Sequence, residues 1–315
     1  MRDVKIIEVK SELGAGTRGA SLGIDAIQIA SMDFSSLFFK NFTSIQVETE
    51  NRLLLEKTLH PYAKKIDGII TMYERISETV SVVIEEGSFP IILSGDHSNA
   101  GGTLAGLKKA YPKSRIGAIW IDAHADLHSP YTTPTGHVHG MPLATALNED
   151  NLSCKINNIS ADTKEHWETL KAVGIRGPKI KHSDIVFVSV RDTEEPEDVL
   201  IKKHAIPNFT TDELRRVGVE KVAKMALKHL SGCDKIYVSF DVDCLDPSIS
   251  KGTGTPVPDG ITEKEAGSLV TRLLENEKVC CFEITEVNPT LDKENLMAEN
   301  AFELLVKATN KIVQG

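Results

Sequence analysis

What the sequence lacks narrows it first. No apolar run in its 315 residues is long enough to cross a bilayer. Residues Met1–Lys10 alternate charge with short apolar pairs, unlike a signal peptide, so a cytoplasmic protein without a membrane partner is expected. No Cys-x-x-Cys pair occurs. The five cysteines (Cys154, Cys233, Cys244, Cys280, Cys281) are odd in number and scattered, which argues for reduced thiols, with Cys280 and Cys281 in the core. An excess of positive charge is missing too. The formal net charge of −9 argues against a nucleic-acid partner and is compatible with a cationic substrate. There is no internal repeat and no low-complexity linker. With 41% hydrophobic residues the chain can bury a sizeable core, and one domain over 1–315 is expected.

What is present is alternation. Apolar runs recur at 4–9, 44–48, 89–95, 116–124, 184–191, 235–243 and 279–288. Most are apolar on both faces, as parallel strands covered by helices must be. Helix-type spacing lies between them: 54–86, 100–110, 211–230 and 262–275, the last opening with the capping box Thr262–Glu265. Residues 145–183 are polar and irregular, and suggest an inserted loop and helix. The expected fold is α/β with a mainly parallel sheet.

Acids and histidines gather at the ends of these runs. Asp96 and His97 end one, Asp122, His124 and Asp126 the next, Asp241 and Asp243 another, and Glu286 the last. Ligands of open parallel sheets bind outside the carboxyl ends of the strands, so these groups should converge. Four converging aspartates would repel one another, and burying them is costly unless cations compensate. His97, Asp122, His124, Asp126, Asp241 and Asp243 offer four carboxylates and two imidazoles, enough for two divalent cations bridged by carboxylates. Oxygen-rich ligation without thiolate favours Mn²⁺, with Co²⁺, Ni²⁺ or Fe²⁺ as alternatives. In an extended segment Asp122, His124 and Asp126 would share one face, with Ala123 and Ala125 packed behind. Asp96 is expected to orient a ligand such as His97. His60, His166, His182, His204 and His229 lie in helical or loop contexts and are assigned no role.

These motifs resemble the ureohydrolase family, and its arginase members most closely. SGDHS (94–98), DAHADLHSPYTTPTGHVHG (122–140), SFDVDCLDPS (239–248), GTGTPVPDG (252–260) and EITEVNP (283–289) match in family order, and ELGAGTRGASLGIDAI (12–27) looks like the arginase opening. The resemblance implies a three-layer α/β/α fold around a central, mainly parallel sheet, a binuclear manganese site, and hydrolysis of a guanidinium group to urea and an amine. It also implies a homo-oligomer, trimeric or hexameric. One metal would take His97, Asp122, Asp126 and Asp241, and the other His124, Asp122, Asp241 and Asp243.

Guanidinium is a poor electrophile, so water must be activated at neutral pH, as between two cations. His139 is the candidate proton shuttle to the leaving amine. Glu286 is the candidate partner of the guanidinium, and Thr255 matches a family residue near the same group. His128, Thr133, Thr135 and His137 match the loop that binds the amino-acid end of the substrate, although arginases commonly carry asparagine where His128 and His137 stand. Glu194 and Glu197 match the segment that contacts an α-ammonium, with Glu194 replacing the usual aspartate. The acid pair favours arginine as the small guanidino substrate. Agmatine or a guanidino acid is the alternative, and a catalytically silent metal-binding homologue a further one.

Overall fold

The structure, a computed structural model, describes residues 2–314. Eight strands form one sheet: β1 (Val4–Val9), β2 (Ser44–Gln46), β3 (Phe89–Ser94), β4 (Ile116–Ile121), β5 (Ile185–Val188), β6 (Asn208–Phe209), β7 (Lys235–Asp241) and β8 (Val279–Thr285). Their order is β2-β1-β3-β8-β7-β4-β5-β6, and every pairing is parallel. The helices are α1 (Gly23–Asp33), α2 (Phe38–Asn41), α3 (Ile66–Glu85), α4 (Ala100–Ala110), α5 (Pro142–Leu147), α6 (Ala161–Ala172), α7 (Glu195–His204), α8 (Thr211–Val217), α9 (Val219–His229), α10 (Glu263–Leu274) and α11 (Leu296–Gln314).

Two apolar cores explain the layers. Successive residues of a strand point to opposite faces. Ile119, Ile121, Val238, Phe240, Phe282 and Ile284 pack with α1, α9, α10 and α11 on one face. Ala118, Trp120, Ile185, Phe187, Tyr237 and Cys281 pack with α3, α4, α5 and α6 on the other. Every residue of β3, β4 and β8 is buried, as two-sided coverage requires. The α/β fold with a parallel sheet is the one the alternating pattern implies, and its three layers are those the family resemblance implies. All five cysteines are free thiols, and Cys280 and Cys281 are in the core.

Two expectations about elements change. The helix spaced over 54–86 starts only at Ile66. Pro61 lies in the preceding stretch, Lys65 takes a left-handed φ of 61°, and Leu55 and Leu59 are 93% and 72% exposed, so their spacing does not mark a buried face. The helix spaced over 211–230 is two, broken at Gly218, whose φ of 89° and ψ of 144° no helix accommodates. The two-residue strand β6 is too short to leave a pattern. The capping box of α10 is present as expected, with reciprocal bonds between Thr262 and Glu265. No helix among the described residues is long and apolar enough to cross a membrane.

Candidate metal centre and cleft

The carboxyl ends of the four central strands, β3, β8, β7 and β4, carry the acids. Three strand-end aspartates fold the chain locally in the same way. Asp96 Oδ1 accepts from Ser98 N at 2.8 Å, Asp122 Oδ1 from His124 N at 2.6 Å, and Asp241 Oδ1 from Asp243 N at 2.8 Å. An aspartate that bonds the amide two residues on bends the chain into a turn. This corrects the expectation of an extended segment. β4 stops at Ile121, Val242–Cys244 is a 3₁₀ turn, and Asp126 has a left-handed φ of 53°. Ala123 and Ala125 are nonetheless fully buried behind the turn. The x in D-x-H and D-x-D is thus the apex of a turn that wraps two side chains around one point.

The structure brings all six proposed ligands together. His97 Nδ1 lies 3.0 Å from Asp122 Oδ2, 3.1 Å from Asp126 Oδ2 and 3.1 Å from Asp241 Oδ2. His124 Nδ1 lies 2.9 Å from Asp243 Oδ2 and 3.5 Å from Asp122 Oδ1. Two sets with metal-holding spacing, His97–Asp122–Asp126 and Asp122–His124–Asp243, share Asp122. Burial pushes the Asp126, Asp241 and Asp243 carboxyls up, and the Asp122 charge pushes each the same way. Burial acts against protonating His97 and His124, but the carboxylates around them hold both imidazoles above their ordinary range. Without a cation, the cluster is therefore balanced only by taking up protons.

His97 is fixed from behind. Its Nε2 bonds Ser239 Oγ at 2.8 Å, and its ring stacks on Trp120 at 4.1 Å between centroids. With the proton on Nε2 donated to Ser239, Nδ1 offers its lone pair to a cation. Asp96 does not orient this ring. Its oxygens accept instead from Ser98 N and Gly14 N, closing the loop after β3 onto the N-terminal segment. Ser239 and Trp120 escaped the sequence reading. The signal was parity: each stands two residues before a ligand-bearing aspartate, on the same strand face.

A cleft of about 230 Å³ opens above the cluster, lined by the six ligands and by His128, Thr133, Thr135, His137, His139, Asp192, Glu194, Glu197 and Thr255. Asp192 was not foreseen. Its Oδ2 lies 3.7 Å from His124 Nε2. Thr255 Oγ1 donates to Asp243 Oδ2 at 3.1 Å. Glu286 stands beside the cleft just past β8, at a left-handed φ of 67°. Its Oε1 accepts from His97 N at 2.9 Å and lies 3.4 Å from His139 Nδ1. Burial works against a charged His139, but the Glu286 carboxylate outweighs it and raises the imidazole above its ordinary range.

The outer residues are engaged with one another. His128 Nε2 lies 2.8 Å from Glu194 Oε2 and 3.5 Å from Glu197 Oε2, and its Nδ1 bonds Thr132 Oγ1. Glu194 and Glu197 form the capping box of α7, and Glu197 Oε1 also accepts from Leu127 N. Thr133 Oγ1 accepts from Gly136 N and Thr135 Oγ1 from His137 N. His137 Nε2 lies 3.0 Å from Lys64 Nζ. Burial, and then the Lys64 charge, push the His137 imidazole down to about 4.

Comparison with known proteins decides the lineage. The arginase family model matches residues 2–310. The chain belongs to the arginase family. It is 33% identical to an arginase of Bacillus subtilis over 314 residues, 98% of each chain. The solved arginase of Bacillus caldovelox superposes with a TM-score of 0.82 at 31% identity, covering 98% of each chain. The arginase of Entamoeba histolytica, solved in complex with L-ornithine, gives 0.81 at 25% identity over 99% of each. The arginase-family chain is accordingly an enzyme, a hydrolase of the ureohydrolase type, from a metal-dependent family. Its cluster fits that requirement, because His97 Nδ1 and Asp122 Oδ2 are buried with no hydrogen-bond partner in the protein.

Proposed function

We propose that the protein is a binuclear Mn²⁺ arginase that hydrolyses L-arginine to L-ornithine and urea. The observation that carries this is the cluster of six residues, five of them buried, in which two groups of metal-holding spacing share Asp122 and Asp241 faces His97. His97, Asp122, Asp126 and Asp241 would hold one cation, and His124, Asp122, Asp241 and Asp243 the other. Two such cations supply Lewis acidity that makes water nucleophilic at neutral pH. The residues around them do the rest. Glu286, anchored by His97 N, uses its remaining oxygen to orient the guanidinium. Thr255 holds Asp243 and lies beside the same group. His139, kept protonatable by Glu286, delivers a proton to the leaving amine. Thr133, Thr135, His128 and His137 face the amino-acid end of the substrate, with Glu194 and Glu197 beside its α-ammonium.

The protein works as one domain over 1–315, in the cytoplasm, as a homo-oligomer of three or six chains. Urea release from arginine, agmatine, 4-guanidinobutyrate and formiminoglutamate, with Mn²⁺ present, tests the substrate. A kcat/KM tenfold higher for agmatine than for arginine would overturn it. A second reading rests on His128. Because that imidazole already occupies Glu194 at 2.8 Å, the α-ammonium loses part of its counter-charge, which favours a guanidino acid that lacks one. A preference for 4-guanidinobutyrate in the same assay is its signature.

A further inference from the structure

Behind His137, in the outer wall of the cleft, stands a lysine that no motif marks. Lys64 precedes α3, and its backbone N donates to Gly136 O at 2.8 Å. That bond ties it to the Thr133–His139 loop, which lines the cleft. The contact is close, since a Cβ at Gly136 would lie 1.9 Å from Pro61 O. The Lys64 side chain is half-buried, and its ammonium meets His137 Nε2 at 3.0 Å.

The chemistry of that contact has one solution. An ammonium has three donors and no acceptor, so His137 Nε2 must accept. A neutral imidazole whose Nε2 accepts carries its proton on Nδ1. The neighbour on that edge is Gly16, where even a Cβ would stand 3.0 Å from Nδ1 and 3.2 Å from Cε1. Gly16 carries only hydrogen in that place, and His137 itself lines the cleft. A donor polarised by a cation behind it is stronger than an isolated imidazole N–H. It is also neutral in itself, like the amide N–H of an asparagine.

We propose that Lys64 is a positioning residue for substrate choice: by occupying His137 Nε2 it fixes the ring proton on Nδ1 and makes that N–H the donor for the terminal carboxylate of a guanidino substrate. Substrates with a carboxylate at the far end are thereby preferred over guanidino amines. The inference rests on the ureohydrolase reading of the cleft and adds a residue outside its motifs.

Lys64→Met and Lys64→Arg in the Mn²⁺-loaded enzyme test it, with arginine and agmatine as substrates. Lys64→Met is expected to raise KM for arginine about tenfold, the loss of one charge-assisted hydrogen bond, with kcat within twofold of wild type. The agmatine parameters should not move, because agmatine has no carboxylate, and Lys64→Arg should restore the arginine KM. An equal loss on both substrates, or no change on either, would overturn the role of Lys64. Failure of the underlying reading looks different: the wild-type enzyme itself would then prefer agmatine or release no urea from any guanidino acid.

Discussion

At the inner end of the cleft His97 Nδ1 and Asp122 Oδ2 are buried and crowd one another with no hydrogen bond outside the cluster, whereas at the outer end His128, Glu194, Glu197, Thr133 and His137 are bonded to their own neighbours. The inner end is a charge problem that the protein leaves unsolved by itself, and a cation would complete it. The outer end is complete before a ligand arrives. A substrate bound there would compete with bonds already made, so residue type alone says little about what the outer end recognises.

Breaking the inner end should have the largest effect. Asp126→Ala and Asp243→Ala each remove a carboxylate from the crowded cluster. Changes to groups that merely support a ligand cost about 10–100-fold in metal affinity, so losing a ligand should cost more than about 100-fold, together with activity. Metal analysis after dialysis checks this. Two cations per chain in either variant would remove that residue from the ligand set.

His139→Asn stands between the two ends. It should lower kcat by about 10²–10⁴-fold, as loss of a general acid does, and leave metal content intact. Near wild-type turnover would make His139 a structural neighbour of Glu286.

The outer end should respond less, and in the opposite direction. His128→Asn releases Glu194 and Glu197 from their imidazole, freeing the acid pair for an α-ammonium. KM for arginine is expected to fall about two- to fivefold, the scale of a partly exposed ion pair, with no gain for 4-guanidinobutyrate. A rise for both substrates would mean that His128 holds the wall in place.

The smallest effect concerns His137 and pH. Its imidazole is lowered to about 4 in the folded protein, against about 6.5 in an unfolded chain. Between these values the unfolded chain binds the proton and the folded one does not. This group therefore supports stability fully above about pH 6.5 and loses that support as the pH falls towards 4. Urea midpoints for wild type and His137→Gln should converge on acidification through that window. Parallel profiles would mean that the proton is taken up in the folded state.

Much of the inner end was legible in the sequence, because its residues are short acids at the ends of strongly apolar runs. The pairs Asp122/His124 and Asp241/Asp243 pointed to one crevice even though the local geometry is a turn and not a strand. The turn was hidden because its cause is a side-chain-to-backbone bond from the aspartate itself. Ser239 and Trp120 were readable by parity but looked like ordinary strand residues. Lys64 was not readable at all. It stands 73 positions from His137, in a stretch whose apolar spacing imitates a helix, and only the close pass of Pro61 over Gly136 brings the two together.

The capping box at the start of α7 has a consequence for how this enzyme can change. Glu194 and Glu197 face the cleft, and the same carboxylates close the first turn of a helix, with Glu197 Oε1 also holding Leu127 N one residue beyond Asp126. Replacing a helix cap costs about 1 kcal/mol, before any loss at Leu127. Mutations of these two acids therefore carry a folding penalty, whereas neither His128 nor Lys64 caps a helix with its side chain. Drift in substrate preference within this lineage should run through His128 and Lys64 and leave the acids themselves in place.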